Sequence, residues 1–140
     1  MVEVIDASGL IIGRLSTYVA KKLLKEKETE IAIVNAERAI VSGNRKMVIE
    51  RYKKKRELNH PRKGPYFPRM PDRILKRTIR GMLPYQQPKG REALKRVKVY
   101  IGFPEELKGE KTESVDSARN KGLDQFVELA EISRILGAKL

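Results

Sequence analysis

The chain has 140 residues, of which 31 are Lys or Arg and 18 are Asp or Glu, leaving a net charge of +13. That length suits one compact core and excludes two full domains. Cysteine is absent and His60 is the single histidine, which removes disulfide frameworks, thiolate metal sites and Cys nucleophiles and speaks against Ser-His chemistry, while the cationic excess points to a polyanionic partner.

In chain order, Val2, Val4 and Ile5 form a β-prone run ended by the turn formers Asp6-Ala7-Ser8-Gly9. From Gly13, Leu15, Val19 and Leu23 recur every fourth position with Ala20 beside them, predicting a helix that the charged run Lys25 to Glu30 closes. Ile31-Ala32-Ile33-Val34 reads as a strand covered on both faces. Strand, helix and strand in this order imply a parallel βαβ unit. Ala39-Ile40-Val41 predicts a short strand, after which Ser42 caps a helix over 44–58 that turns Val48, Ile49 and Tyr52 inward.

Residues 59–71 contain Pro61, Gly64, Pro65, Pro68 and Pro71 and read as an extended loop. Pro71 suits the first position of a new helix, and Asp72 its positively polarised first turn. At about 100° per residue, Ile74, Leu75, Thr78, Ile79, Met82 and Leu83 share one half of that helix, and Arg73, Lys76, Arg77 and Arg80 form a stripe on the other. Gly81 and Pro84 end it. A short basic helix, Arg91 to Arg96, leads into a strand, Val97 to Ile101. A last helix over 123–136 is expected to bury Leu123, Phe126, Val127, Leu129, Ala130 and Leu136. No run of about 18 apolar residues is present to span a bilayer, and Met1 to Asp6 lacks the order of a secretory signal, so the chain is expected to be intracellular and soluble.

The charge is concentrated. Residues 1–44 hold six basic and six acidic side chains, 45–98 hold nineteen and four, and 99–140 hold six and eight. Confining the excess to the middle creates a local potential suited to phosphate and makes binding salt-dependent. The cations and rings expected to meet a nucleic-acid partner are Arg14 near a helix start; Arg45, Lys46, Lys53, Lys54, Lys55 and Arg56 on the 44–58 helix; His60, Arg62, Lys63, Tyr66 and Arg69 in the loop; Arg73, Lys76, Arg77 and Arg80 on the stripe; and Lys89 and Arg91 beyond it. Tyr66-Phe67 either stack on unpaired bases or staple the loop to the core, and His60 either touches RNA or is a plain loop histidine.

Enzymatic readings fail on spacing. Gly9 and Gly13 are one residue too close for a phosphate-binding loop, Arg14 stands where its Lys belongs, and Leu15 replaces the hydroxyl residue. Ser42-Gly43-Asn44 lacks the flanks of a nucleophile elbow. Within 45–98 the acids are Glu50, Glu57, Asp72 and Glu92, spaced as helix-surface groups and not as a metal cluster. No metal, cofactor or small-molecule substrate is expected. The alternative to RNA is a basic chromosomal or repair protein on DNA. A helix with half its circumference committed to the core is poorly suited to the major groove, which favours irregular RNA.

Asp6-Ala7-Ser8-Gly9 with Gly13-Arg14-Leu15, Val34-Asn35-Ala36-Glu37, Ser42-Gly43-Asn44, Gly64-Pro65-Tyr66, Arg80-Gly81-Met82-Leu83-Pro84 and Lys98-Val99-Tyr100-Ile101-Gly102 resemble, in this order, the L-thirteen family of large-subunit ribosomal proteins. The resemblance runs from residue 5 to 104. Gly102-Phe103-Pro104-Glu105 is similar to the archaeal and eukaryotic branch, and the lack of a long basic C-terminal extension points to the archaeal one. It implies a single α/β domain over 1–140, three-layered with a mainly parallel sheet of about four strands, a basic proline-rich loop and a C-terminal helix. It further implies a non-enzymatic protein that binds large-subunit ribosomal RNA beside neighbouring ribosomal proteins, in the cytoplasm.

Overall fold

The computed structural model describes residues 2–57, 68–107, 109–120, 122 and 125–138. Strand β1 (Val2–Asp6) passes through helix α1 (Ile12–Lys25) into β2 (Glu30–Val34), and the two strands pair in parallel with Val4 opposite Ala32 and Asp6 opposite Val34. After β3 (Ile40–Ser42) come α2 (Arg45–Glu57), α3 (Pro71–Gly81), α4 (Pro88–Lys95), β4 (Val97–Val99), β5 (Thr112–Glu113), β6 (Phe126–Glu128) and α5 (Leu129–Ile135). The main sheet has the order β4-β2-β1-β5 and is parallel throughout; β3 and β6 form a small antiparallel sheet of their own.

Side chains alternate across the sheet, so β1 and β2 serve two cores at once. Ile5, Ile31 and Ile33 face a large core shared with Leu15, Val19 and Leu23 of α1, Ile74, Leu75 and Ile79 of α3 and Ala93 of α4. Val4, Ala32 and Val34 face the other way, under Tyr100, Phe103 and Leu107. The unbroken apolar run of β2 therefore has the cause expected of it, and the expected layered α/β arrangement follows.

Arg96 welds the helical layer to the sheet. It lies just past α4, and its guanidinium donates to the carbonyls of Leu23 at 2.7 Å, Glu26 at 2.7 Å and Thr29 at 3.1 Å. These are the carbonyls that the C-terminus of α1 leaves unpaired, together with the turn into β2. Arg96 thus caps one helix from the end of another.

Four expectations need correction. The last helix begins at Leu129; before it, Phe126–Glu128 pairs antiparallel with Ile40–Ser42. There Phe126 and Glu128 point to solvent while Val127 is buried, an alternation of period two that the helical reading overlooked. Leu123 lies outside the described residues, and Leu136 is only partly buried against the core. Ser42 is not a helix cap: it belongs to β3, and Asn44 takes that place, its Oδ1 accepting from Lys46 N at 2.9 Å and its carbonyl from Val48 N. Met82 lies past the end of α3 and is 41% exposed, its sulfur accepting from the Thr17 hydroxyl at 3.4 Å. The helix expected from Arg91 starts three residues earlier, at Pro88, which serves as its first residue.

Candidate nucleic-acid interface

Helix α3 is anchored by Ile74, Leu75 and Ile79, each 1% exposed or less. With that face sunk in the core, the same 3.6-residue period turns Arg73, Lys76, Arg77 and Arg80 outward. They line a hollow of 300 Å³ together with Pro68 and with Leu94 of α4. A second hollow of 220 Å³ follows, bounded by Arg77, Arg80, Gly81 and Tyr85. The Arg80 guanidinium lies over the Tyr85 ring, 4.4 Å from its centroid. An exposed ring with a cation on one face is a platform for an unstacked base.

Tyr85 is where the structure adds most to the sequence reading. It sits in the turn Pro84 to Gln87, and Gly90 in the first turn of α4 lets that turn pack closely. A Cβ at Gly90 would stand 1.9 Å from the Pro84 carbonyl oxygen. Its signal was an aromatic residue between Pro84 and Pro88 in a basic stretch, but its pairing with Arg80 depends on the turn.

Among the described residues no ion pair ties Arg73, Lys76 or Arg80. Beside them Lys55 of α2 extends the field: its ammonium lies 4.9 Å from the centroid of the Tyr52 ring. Burial, then the neighbouring charges of Arg51 and Arg77, hold its pKa below the usual lysine value. Burial is the larger cause; the part due to neighbouring cations is the part an arriving phosphate would offset. Lys53 and Lys54 are exposed on the same helix.

Other expected contacts lie at the border of this face or away from it. Arg45 is ion-paired with Glu131 of α5. Lys46 is exposed near it. Arg69 is exposed beside Gly137, its Nη1 3.6 Å from where a Cβ would stand there. Arg91 donates to the Gln86 carbonyl at 3.2 Å, which steadies the Tyr85 turn, and Lys89 is exposed at the start of α4. Arg14 projects from the first turn of α1. His60, Arg62, Lys63 and Tyr66, with Phe67 and the side chain of Arg56, lie outside the described residues.

A larger hollow, 690 Å³, is elsewhere, lined by Asn35, Glu37, Arg38, Gly102, Glu128, Ala130, Glu131 and Arg134. It adjoins the C-terminal ends of β1 and β2, where open α/β sheets commonly bind ligands. Here several of the polar groups are engaged within the chain. Asn35 takes a left-handed backbone at φ 57° and donates to Asp6 Oδ1 at 3.1 Å, and Glu37 accepts from Gly102 N at 2.7 Å. Burial pushes the Asp6 pKa up, but hydrogen bonds from Ser8 and Asn35 and the charge of Arg38 outweigh it and hold the carboxyl below its ordinary value. The Asn-Ala-Glu and Asp-Ala-Ser-Gly landmarks therefore brace one another at the ends of β1 and β2.

Comparison with known proteins identifies the family. Residues 1–106 match the family model described as Ribosomal protein L13. A protein of Methanosarcina barkeri called large ribosomal subunit protein uL13 is 51% identical over 138 residues, covering 97% of this chain and 98% of its own. Proteins of the same name from Archaeoglobus fulgidus and Methanocaldococcus jannaschii are each 50% identical, covering 96% and 97% of this chain and 86% and 98% of their own. The likeness thus continues past residue 104, where the motif-based resemblance stopped.

Proposed function

The chain belongs to the ribosomal protein L13 family, a structural and non-enzymatic constituent of the large subunit of the cytoplasmic ribosome, and on that premise we propose that its α3–α4 face holds large-subunit ribosomal RNA. The observation that carries this is the stripe Arg73, Lys76, Arg77 and Arg80 around a hollow, with Tyr85 stacked at its end. Lys55 of α2 continues the surface, Lys53 and Lys54 are offered to RNA that wraps α2, and Lys89 and Arg91 flank the α3–α4 face. Arg45 serves the fold through Glu131, and its outer edge is left for a neighbouring ribosomal protein or a peripheral phosphate.

This geometry favours irregular RNA over duplex DNA. Half of α3 is embedded, so it cannot enter a major groove to read bases, whereas a hollow with an exposed ring accepts a bent backbone with one base turned out. The test is filter binding of the purified protein to a large-subunit ribosomal RNA transcript and to duplex DNA, from about 50 to 200 mM salt. The RNA should be preferred, with affinity falling by about three or more orders of magnitude across that range if six or more phosphates are neutralised. Equal affinity for duplex DNA, or affinity indifferent to salt, would overturn the assignment.

A further inference from the structure

Residues 1–44 carry six acids and six bases, and that balance conceals a mainly cationic outer face on α1, with Glu26 at its C-terminal edge. Glu3 is ion-paired with Lys22 at 2.6 Å. Asp6 is consumed by Ser8 and Asn35, and Glu37 by Gly102. Glu26, Glu28 and Glu30 follow the end of α1, so the helix itself, Ile12–Lys25, has no acidic residue. At about 100° per residue, Arg14, Tyr18, Lys21 and Lys25 fall within a sector of roughly 60°, opposite the buried Ile12, Ser16 and Leu23. The sector is about 16 Å long at 1.5 Å per residue.

We propose that this outer face of α1 is a second contact for the RNA backbone, in which Arg14, Lys21 and Lys25 meet phosphates and Tyr18 underlies a ribose or base. A hollow of 360 Å³ is lined by Tyr18, Lys21, Lys22, Lys25 and Glu26. Lys22 has a different task from its neighbours. Its ammonium binds Glu3, donates to the Tyr18 hydroxyl at 3.4 Å and lies 5.6 Å from the ring centroid, which fixes the ring as a floor. Lys21 and Lys25 are exposed and make no ion pair among the described residues.

Helix stability alone does not account for the arrangement. Cations favour the C-terminal turn of a helix, but the carbonyls at that end are already capped by Arg96, and Arg14 stands in the first turn, where the helix dipole disfavours a cation. The face is also continuous with the α3 surface: Thr17 of α1 touches Met82, two residues beyond Arg80. An RNA chain leaving the Tyr85 hollow would meet the α1 sector next. Cations interleaved with a ring favour nucleic acid over an acidic protein segment.

The inference rests on the RNA reading above, and the experiment separates the two. Arg14→Gln, Lys21→Gln and Lys25→Gln are combined in one variant and compared with the wild type and with a variant carrying Gln at Arg73, Lys76, Arg77 and Arg80, using the same ribosomal RNA transcript. The slope of log affinity on log salt should shrink by about 2 to 3 in the α1 variant, with an unchanged thermal melt. Tyr18→Leu should weaken binding several-fold and leave the slope as it was. An unchanged slope in the α1 variant beside a reduced one in the α3 variant overturns the second contact and leaves the first standing. A wild type without salt-dependent binding overturns both. Lysine acetylation of assembled large subunits provides a further arm: Lys21 and Lys25 protected while the slope is unchanged would assign the face to a neighbouring protein and overturn the proposal.

Discussion

Around the hollow at the end of the sheet, Glu37 is engaged with Gly102, Asn35 with Asp6 and Glu131 with Arg45. Along α3, Arg73, Lys76 and Arg80 stand in a row with no carboxylate paired to them among the described residues. Both regions are polar and concave, and the first is the larger. What separates them is how far charge has been neutralised within the chain. A paired charge holds backbone in place; a row of like charges is raised above its own stability optimum and lowers its energy only when an outside anion arrives. Arg96 makes the same point within the basic segment, because it is counted among the nineteen bases of residues 45–98 yet is spent on the carbonyls of α1.

The sharpest way to break this comparison is to separate the two faces of α3. Replacing Arg73, Lys76, Arg77 and Arg80 by Gln should reduce the salt slope for ribosomal RNA by about 3 to 4. Melting should barely change, since exposed charges contribute only about 0–1 kcal/mol each. Leu75→Ala, at a side chain with no exposure, should do the reverse: it should cost about 2–5 kcal/mol of stability while the RNA slope of the protein that remains folded is preserved. If the Gln variant binds RNA as the wild type does, the stripe is only a solvated face.

Much of the scaffold was legible because burial imposes a period on the sequence. Leu15, Val19 and Leu23 announced α1, and Ile74, Leu75 and Ile79 fixed the inward face of α3, which by subtraction fixed its stripe. Elements that bury little left no such mark. Strand β5, Thr112–Glu113, is two exposed residues paired to the edge of β1, and nothing in their side chains requires a strand. Strand β6 was mistaken for helix because Phe126, Val127, Leu129 and Ala130 fit a helical face nearly as well as they fit alternation, and pairing with β3 decides between them. In the candidate site, charge density pointed to α2 and α3, but it could not tell Arg45, held by Glu131, from Lys53 or Arg73. On α1 it singled out Arg14 alone, because acids engaged elsewhere, Glu3, Asp6 and Glu37 among them, cancelled Lys21 and Lys25 in the count.

A smaller effect tests the paired side. Arg96→Met keeps much of the aliphatic stem and removes the donors to Leu23, Glu26 and Thr29. Bonds from a charged donor contribute about 1.5–3 kcal/mol each at most, and water can reach part of this helix end, so the expected loss is about 2–3 kcal/mol. RNA affinity at fixed salt should be unaltered when the variant is measured well below its melting temperature. A variant as stable as the wild type but weaker toward RNA would place Arg96 among the contact residues and erase the distinction drawn for it.

The smallest expected effect on stability comes at Gly81, and glycine itself supplies the contrast. At Gly90 the chain has an internal reason for lacking a side chain, because a Cβ would collide with the Pro84 carbonyl. Gly81 has none. It is the last residue of α3, it is absent from the positive-φ glycines, and a Cβ built on it meets no atom within 4 Å. A helical glycine without such a reason costs about 0.5–1 kcal/mol relative to alanine, so Gly81→Ala should leave melting unchanged or raise stability by up to about 1 kcal/mol. Yet Gly81 borders the hollow between Arg77, Arg80 and Tyr85, where an added methyl group would hold an approaching RNA backbone away from both guanidinium groups. RNA affinity should therefore fall several-fold in a protein that is, if anything, more stable. Gain of stability with undiminished RNA binding would show that no ligand comes close at this point and that the hollow is not where the backbone enters.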